Sequence, residues 1–150
     1  MGCKDLLSSI DVNSRGAQGR TPLHRALGEA SIEVSKLLIE EGKADPLIVD
    51  EMKRSSMHYA ALNPSDNVAI VELLFSIGKG QETMNMQSKS DSTPLHCAID
   101  TGHIGIAKCL ISHGADFEKI KDENGKTCLA LAKDRKLDKE LKKLASGKHK

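Results

Sequence analysis

The sequence predicts an all-α repeat solenoid of stacked helix-turn-helix units, and three observations predict it. A four-residue phrase recurs as Thr21-Pro22-Leu23-His24, Ser55-Ser56-Met57-His58, Thr93-Pro94-Leu95-His96 and, weakened, Thr127-Cys128-Leu129-Ala130. The copies lie 34, 38 and 34 residues apart, a period typical of architectures in which one supersecondary unit stacks on the next. Behind each phrase come apolar residues at helical spacing, and in three units a glycine follows them.

Residues 1–13 read as a partial N-terminal repeat or cap, with Leu6-Leu7 and Asp11-Val12-Asn13 resembling the tail of a unit. That is expected of either a stunted cap or a chain cut from a longer protein. Unit one is assigned to 14–46, unit two to 47–84, unit three to 85–117, and unit four with a basic tail to 118–150. Within each unit Thr or Ser starts the first helix by accepting a bond from a free backbone N–H, and Pro suits the first helical position because its missing N–H costs nothing there. Short stretches such as Ala26-Leu27, Tyr59-Ala60-Ala61 and Ala98-Ile99 follow, small enough for neighbouring helices to approach closely. Gly102 is placed to end the third of them in a left-handed conformation. Second helices show buried stripes at Ile32, Val34, Leu37 and Leu38, at Ile70, Val71, Leu73 and Leu74, and at Ile104, Ile106, Cys109 and Leu110, closing at Gly42, Gly78 and Gly114.

The runs Gly19-Arg20-Thr21-Pro22-Leu23-His24 and Leu37-Leu38-Ile39-Glu40-Glu41-Gly42, with Thr93 to Asp116, resemble ankyrin repeats over about residues 11–135. The resemblance implies a β-turn finger before each antiparallel helix pair. It also implies that His24, His58 and His96 bond the helix start and an adjoining turn, making the phrase Thr21, Pro22, Leu23, His24, His58, Thr93, Pro94, Leu95 and His96 structural. Unit two departs most: it lacks Thr-Pro, carries extra residues in Asn63-Pro64-Ser65-Asp66, and has a longer segment, Lys79 to Met86, expected to be mobile. Unit four keeps Asp122 to Thr127 but has Ala130 in place of His. Its second helix sets Leu137, Leu141 and Leu144 among charges, as a terminal capping repeat should.

Composition excludes several classes. With 39% hydrophobic and 29% charged residues in 150, the chain suits one domain able to bury its own core. Cys3, Cys97, Cys109 and Cys128 form no CxxC pair and no apolar leader is visible, which fits a reducing cytosolic or nuclear compartment. No apolar run approaches the ~20 residues that span a bilayer. Met1-Gly2-Cys3 is a weak acylation signal, because Leu6 stands where Ser or Thr is required. Three aromatic residues are too few for base stacking, so nucleic acid is a poor partner.

No catalytic residue, metal ligand set or cofactor is assigned. Repeating histidines one per unit are set apart by stacking rather than converged, His96 and Cys97 point about 100° apart on a helix, and Cys97, Cys109 and Cys128 read as inert buried thiols. His103 matches the family's Gly-His pair, and His113 lies near a helix end. No phosphate loop, HExxH or GxSxG occurs.

The resemblance implies binding of another protein or peptide, by a monomer, through the finger tips and the inner side of the first helices. Carried over by register, the fingers present Arg15, Gln18 and Arg20; Glu51, Met52 and Arg54; Lys89, Ser90 and Ser92; and Glu123, Asn124 and Lys126. The inner helices add Glu29, Leu62, Asp100 and Thr101. Basic groups concentrate at the fingers, so a partially acidic, partially apolar partner is expected on Arg20, Arg54 and Lys89 with Met52 as an apolar contact. The bland alternative is a row of solvated turn residues. Residues 121–150 carry a local net charge of +5 against −4 for the remainder, which suits a solvated capping face, a weak nuclear signal or contact with an acidic partner. Two other classes stay open: a regulatory or targeting domain of a larger enzyme, channel or transcription factor, and an enzyme in its own right, for which no convergent constellation speaks.

Overall fold

The computed structural model describes residues 13–147, with side chains described to 144. The acylation signal, Cys3, Leu6-Leu7 and the tail Lys148-His149-Lys150 lie outside the described residues. Nine α-helices occur among those described: α1 (Pro22–Gly28), α2 (Ile32–Glu40), α3 (Ser56–Ala61), α4 (Val68–Ser76), α5 (Gly80–Thr83), α6 (Pro94–Thr101), α7 (Ile104–Ser112), α8 (Cys128–Asp134) and α9 (Asp138–Gly147). First helices pack in a row, α1 on α3, α3 on α6 and α6 on α8, and second helices form the other layer, α2 on α4, α4 on α7 and α7 on α9.

The core lies between these layers. Leu27, Ile70, Leu74, Ile99 and Leu110 are fully buried, each contributing about 1.5–3 kcal/mol by leaving water. Val34 departs from the expected buried stripe, at 48% exposed, although the equivalent Ile70 and Ile106 are at 0%. The reason is position: α4 packs on α2 and α7 on α4, whereas α2 opens the outer row among the described residues. Leu141 is fully buried and Leu137 and Leu144 pack partly against the core, closing the other end.

The helix starts are built by the repeated phrase. Thr21, Ser55 and Thr93 each accept the third helical N–H at 3.3 Å. The imidazoles of His24, His58 and His96 accept the cap residue's own N–H on Nδ1, at 3.0, 3.0 and 3.1 Å. This is a reciprocal capping box with a ring in place of the usual Glu or Gln. Because Nδ1 accepts from an amide, the ring proton sits on Nε2. It points into the next unit: to the carbonyl of Ser92 at 2.7 Å and of Lys126 at 3.0 Å at the ends of the following fingers, and, for His24, to the carbonyl of Ile48 at 2.9 Å, two residues before the second finger. One residue thus starts a helix and fastens the following unit.

Lys79 to Met86, expected to be mobile, takes up regular structure packed on the core. Gly80–Thr83 is the one-turn helix α5, packed on α4 and α3, with Thr83 and Met84 buried. A Cβ at Gly80 would overlap the Phe75 ring, so only glycine lets this turn close against α4. The Asn63–Asp66 loop is also employed. Asn63 is buried, its carbonyl oxygen accepts the N–H groups of Ser65 and Asn67 at 3.0 Å, and Asp66 reaches the next unit to accept from Gly105 and Ile106 at 3.0 and 2.9 Å.

Candidate partner-binding face

Four fingers precede the first helices, each closed by a bond across the turn: Gly16 to Arg20 at 2.8 Å, Asp50 to Arg54 at 3.1 Å, Ser88 to Ser92 and Asp122 to Lys126 at 2.9 Å. Neighbouring fingers are joined backbone to backbone. Glu51 donates to the Gln18 carbonyl at 2.9 Å, Lys89 to Met52 at 2.8 Å and Glu123 to Ser90 at 2.9 Å. Six of the register-assigned residues therefore use their main chain in the ladder; Gln18, Glu51, Met52, Lys89 and Glu123 leave their side chains exposed, while the Ser90 hydroxyl bonds Ser88 and Ser92 within its finger. Met52 is 46% exposed at a finger tip, one of the exposed large apolar side chains among the described residues.

Between fingers and first helices run two grooves. The first, about 340 Å³, is lined by Arg20, His24, Arg25, Gly28, Glu29, Tyr59 and Leu62. The second, about 280 Å³, is lined by Ser90, Ser92, His96, Cys97, Asp100, Asp122, Glu123, Asn124 and Leu131. A wider cleft of about 750 Å³ shares Asp100, Asn124 and Leu131 with it and adds Lys126, Asp134 and Arg135. Eight further-apart candidates in the sequence, Arg20, Glu29, Leu62, Ser90, Ser92, Asp100, Glu123 and Asn124, thus line two hollows, with Lys126 in the cleft.

The remaining candidates are placed differently. Arg15 ties its own finger to the start of unit two, donating to Gly19 O at 3.2 Å and Val49 O at 2.6 Å. Thr101 bonds back to Cys97 O at 2.9 Å. Gln18, Glu51, Met52 and Lys89 line no groove described. Arg54 is committed: its Nε donates to Asp50 at 2.8 Å, and its guanidinium lies 5.2 Å from the Tyr59 ring centroid. Asp50 also accepts the Tyr59 hydroxyl at 2.5 Å, and Tyr59 stacks on His24 with centroids 4.7 Å apart.

Electrostatics follow from these contacts. Burial alone would raise the Asp50 pKa, but bonds from Tyr59 and from the amide and guanidinium of Arg54 hold it below the ordinary carboxylate value. Burial and Asp50 together push the Tyr59 hydroxyl up to about 12. Along the face the charge changes sign. Arg20 and Arg25 rim the first groove with only Glu29 against them, whereas Asp100, Asp122 and Glu123 line the second. In the cleft Lys126 pairs with Asp134 at 2.5 Å and Arg135 with Asp100 at 3.5 Å.

Sequence reasoning missed Arg25, Tyr59, Leu131 and the anchor Asp50. Asp50 had a signal: it sits four residues before Arg54, as Asp122 sits four before Lys126, and both carboxylates accept the turn amides. Both ring nitrogens of His24, His58 and His96 are engaged by backbone, which leaves no lone pair for a metal or a general base. Burial pushes the thiols of Cys97 and Cys128 up to about 12, so neither is a ready nucleophile.

Comparison with known proteins agrees with this architecture. A family model described as ankyrin repeats in three copies matches residues 2–85 and 70–148. A probable 26S proteasome regulatory subunit p28 of Saccharomyces cerevisiae is 35% identical over 134 residues, covering 89% of this chain and 54% of that protein. A B-cell lymphoma 3 protein homolog of Mus musculus is 31% identical over 129 residues, covering 86% of this chain and 28% of that protein. Delta-latroinsectotoxin-Lt1a of Latrodectus tredecimguttatus is 36% identical over 103 residues, covering 63% of this chain and 8% of the toxin. The chain therefore spans about half the length of the p28 protein and less of the others. No helix among the described residues is long and apolar enough to cross a membrane. Repeats of this kind are in general non-catalytic protein-interaction modules, and the chain belongs to the ankyrin-repeat family.

Proposed function

We propose that the chain is a monomeric, non-catalytic scaffold that holds a partner protein or peptide along the fingers and first helices. A reducing compartment, cytosol or nucleus, is where it would work. The observation that carries this reading is the pair of grooves on one face, positive at the first and negative at the second, above a finger ladder whose side chains have little packing duty. An acidic and apolar stretch of the partner would lie over Arg20, Arg25 and Leu62, with Met52 as an outer contact, and a more basic stretch over Asp100 and Glu123. The yeast relative is named as a probable regulatory subunit of the 26S proteasome, so subunits of that assembly are the first partners to test. A second reading, a targeting domain within a larger protein, is favoured by the alignments that cover 28% or less of two relatives.

Arg54 is a poor residue for the test, because reversing it would set two carboxylates together at Asp50. Arg20 and Lys89 are free of such duty toward side chains. Arg20→Glu with Lys89→Glu should weaken the captured partner at least tenfold, about 1.4 kcal/mol, with the far-ultraviolet circular dichroism unchanged. Unchanged affinity would remove the fingers from the binding site.

A further inference from the structure

On the second-helix layer, away from the proposed binding face, three metal-ligating side chains converge. Cys109 lies on α7 and His113, four residues on, is the cap residue at its C-terminus, while Glu72 lies on the adjacent α4. The Cys109 thiol donates to Glu72 Oε2 at 3.4 Å, and His113 Nε2 lies 3.0 Å from Glu72 Oε1. All three ligand atoms fall within 4.8 Å of one another. The imidazole plane is held by stacking on Phe75, with centroids 3.7 Å apart and planes 7° from parallel, and the His113 carbonyl accepts from Gln81 at 3.2 Å.

We propose that Glu72, Cys109 and His113 form a binding site for a divalent cation of the zinc class, with water completing a four-coordinate shell. Ligands around a tetrahedral ion with bonds of 2.0–2.3 Å stand about 3.5 Å apart. Cys109 and His113 each already lie near that distance from one oxygen of Glu72; rotation of the exposed Glu72 carboxylate presents a single oxygen to the ion, and a small turn of the Cys109 side chain brings its sulfur, within 4.8 Å of the imidazole nitrogen, into the shell. One sulfur, one imidazole nitrogen and one carboxylate oxygen suit zinc over magnesium or calcium, which take oxygen ligands. Charge also balances. On binding, the Cys109 proton leaves to solvent, the thiolate and the Glu72 carboxylate neutralise the two charges of the ion, and His113 coordinates through the Nε2 lone pair with its proton on Nδ1. The ion replaces two hydrogen bonds to Glu72 by three bonds to the protein and pins the C-terminal end of α7 to α4. Sequence spacing alone could not show this, because Glu72 is 37 residues from Cys109 in the chain.

The test uses the full chain stripped with a chelator and titrated with Co²⁺. A near-ultraviolet thiolate-to-cobalt charge-transfer band and the visible bands of a tetrahedral ion should saturate at one equivalent and be displaced by Zn²⁺. Cys109→Ser should abolish the charge-transfer band. Glu72→Gln and His113→Gln, at partly exposed positions, should keep the helical spectrum and weaken Co²⁺ binding at least tenfold. Absence of the band in the native chain, its survival in Cys109→Ser, or unchanged affinity in the Glu72 and His113 variants would overturn the site. The last pair decides the matter if Cys109→Ser does not fold.

Discussion

His24, His58 and His96 each hold the imidazole ring between two backbone groups, and the arrangement requires a neutral ring. Protonating Nδ1 would set a donor against the cap N–H. Burial, opposed by the bond to the Ser92 carbonyl, lowers the His58 pKa from 6.5 to about 4, and burial lowers His24 in the same direction. A folded-state value below the unfolded one means that this stability is complete above pH 6.5 and is lost as pH falls toward 4. At pH 5 the loss from His58 alone should be roughly 2 kcal/mol. Asp50, held below its ordinary value, stays charged through that window. Urea midpoints at pH 7 and pH 5 check this: the drop should shrink in His58→Gln, and an equal drop in both proteins would refute the assignment. A second residue stands out for the opposite reason. Ser35 Oγ is buried without a partner among the described residues, where the equivalent Val71 and Ala107 are apolar. Ser35→Ala should raise the stability to denaturant by about 1 kcal/mol. The histidine role was legible because the phrase repeats. The Asp50–Arg54–Tyr59 cluster was not, because its contacts exist only once the finger has turned.

Elements were most readable at their starts. Thr21, Thr93 and Thr127 encode caps chemically, and the helices begin where those hydroxyls accept. What the sequence hid was the use made of its irregularities. The insertion in unit two brings Asp66, at φ 51°, to the N-terminus of α7, where its carboxylate meets two free amides and the positive end of the helix dipole. Asp66→Ala should cost about 1 kcal/mol and speed hydrogen exchange at Gly105 and Ile106, while Asp66→Asn should cost less by keeping an acceptor. Exchange unaltered in Asp66→Ala would show that the loop does not cap α7. The segment expected to be mobile became α5 because Gly80 admits the Phe75 ring, a contact between residues on different helices that periodicity cannot report.

At the scale of the molecule, neighbouring units are fastened three ways: by core packing, by the finger ladder and by the imidazole bonds. Stability should then accumulate largely from nearest-neighbour interfaces. The fold class was legible from the period alone, since few architectures repeat a capped helix pair at this spacing. For the proposed binding face, the structure reports position only: Leu62, Asp100 and Asn124, expected from register, line the grooves, whereas Arg54 and Lys126, expected as available charges, are paired with carboxylates. Within the basic C-terminal end, Lys126 and Arg135 are not free charges, because they pair with Asp134 and Asp100, while Glu140 of that end is taken by Lys108 of α7. Such exposed pairs add little stability, yet they alter what a partner meets. The central claim, that a protein partner lies along the fingers and first helices, is tested most directly by placing a photo-crosslinking side chain at Leu62 or Asn124 on that face, or at Lys36 or Ser112 on the second-helix layer. The account predicts that Leu62 and Asn124 crosslink to one common partner protein and that Lys36 and Ser112 do not. Crosslinks confined to Lys36 and Ser112 would contradict it.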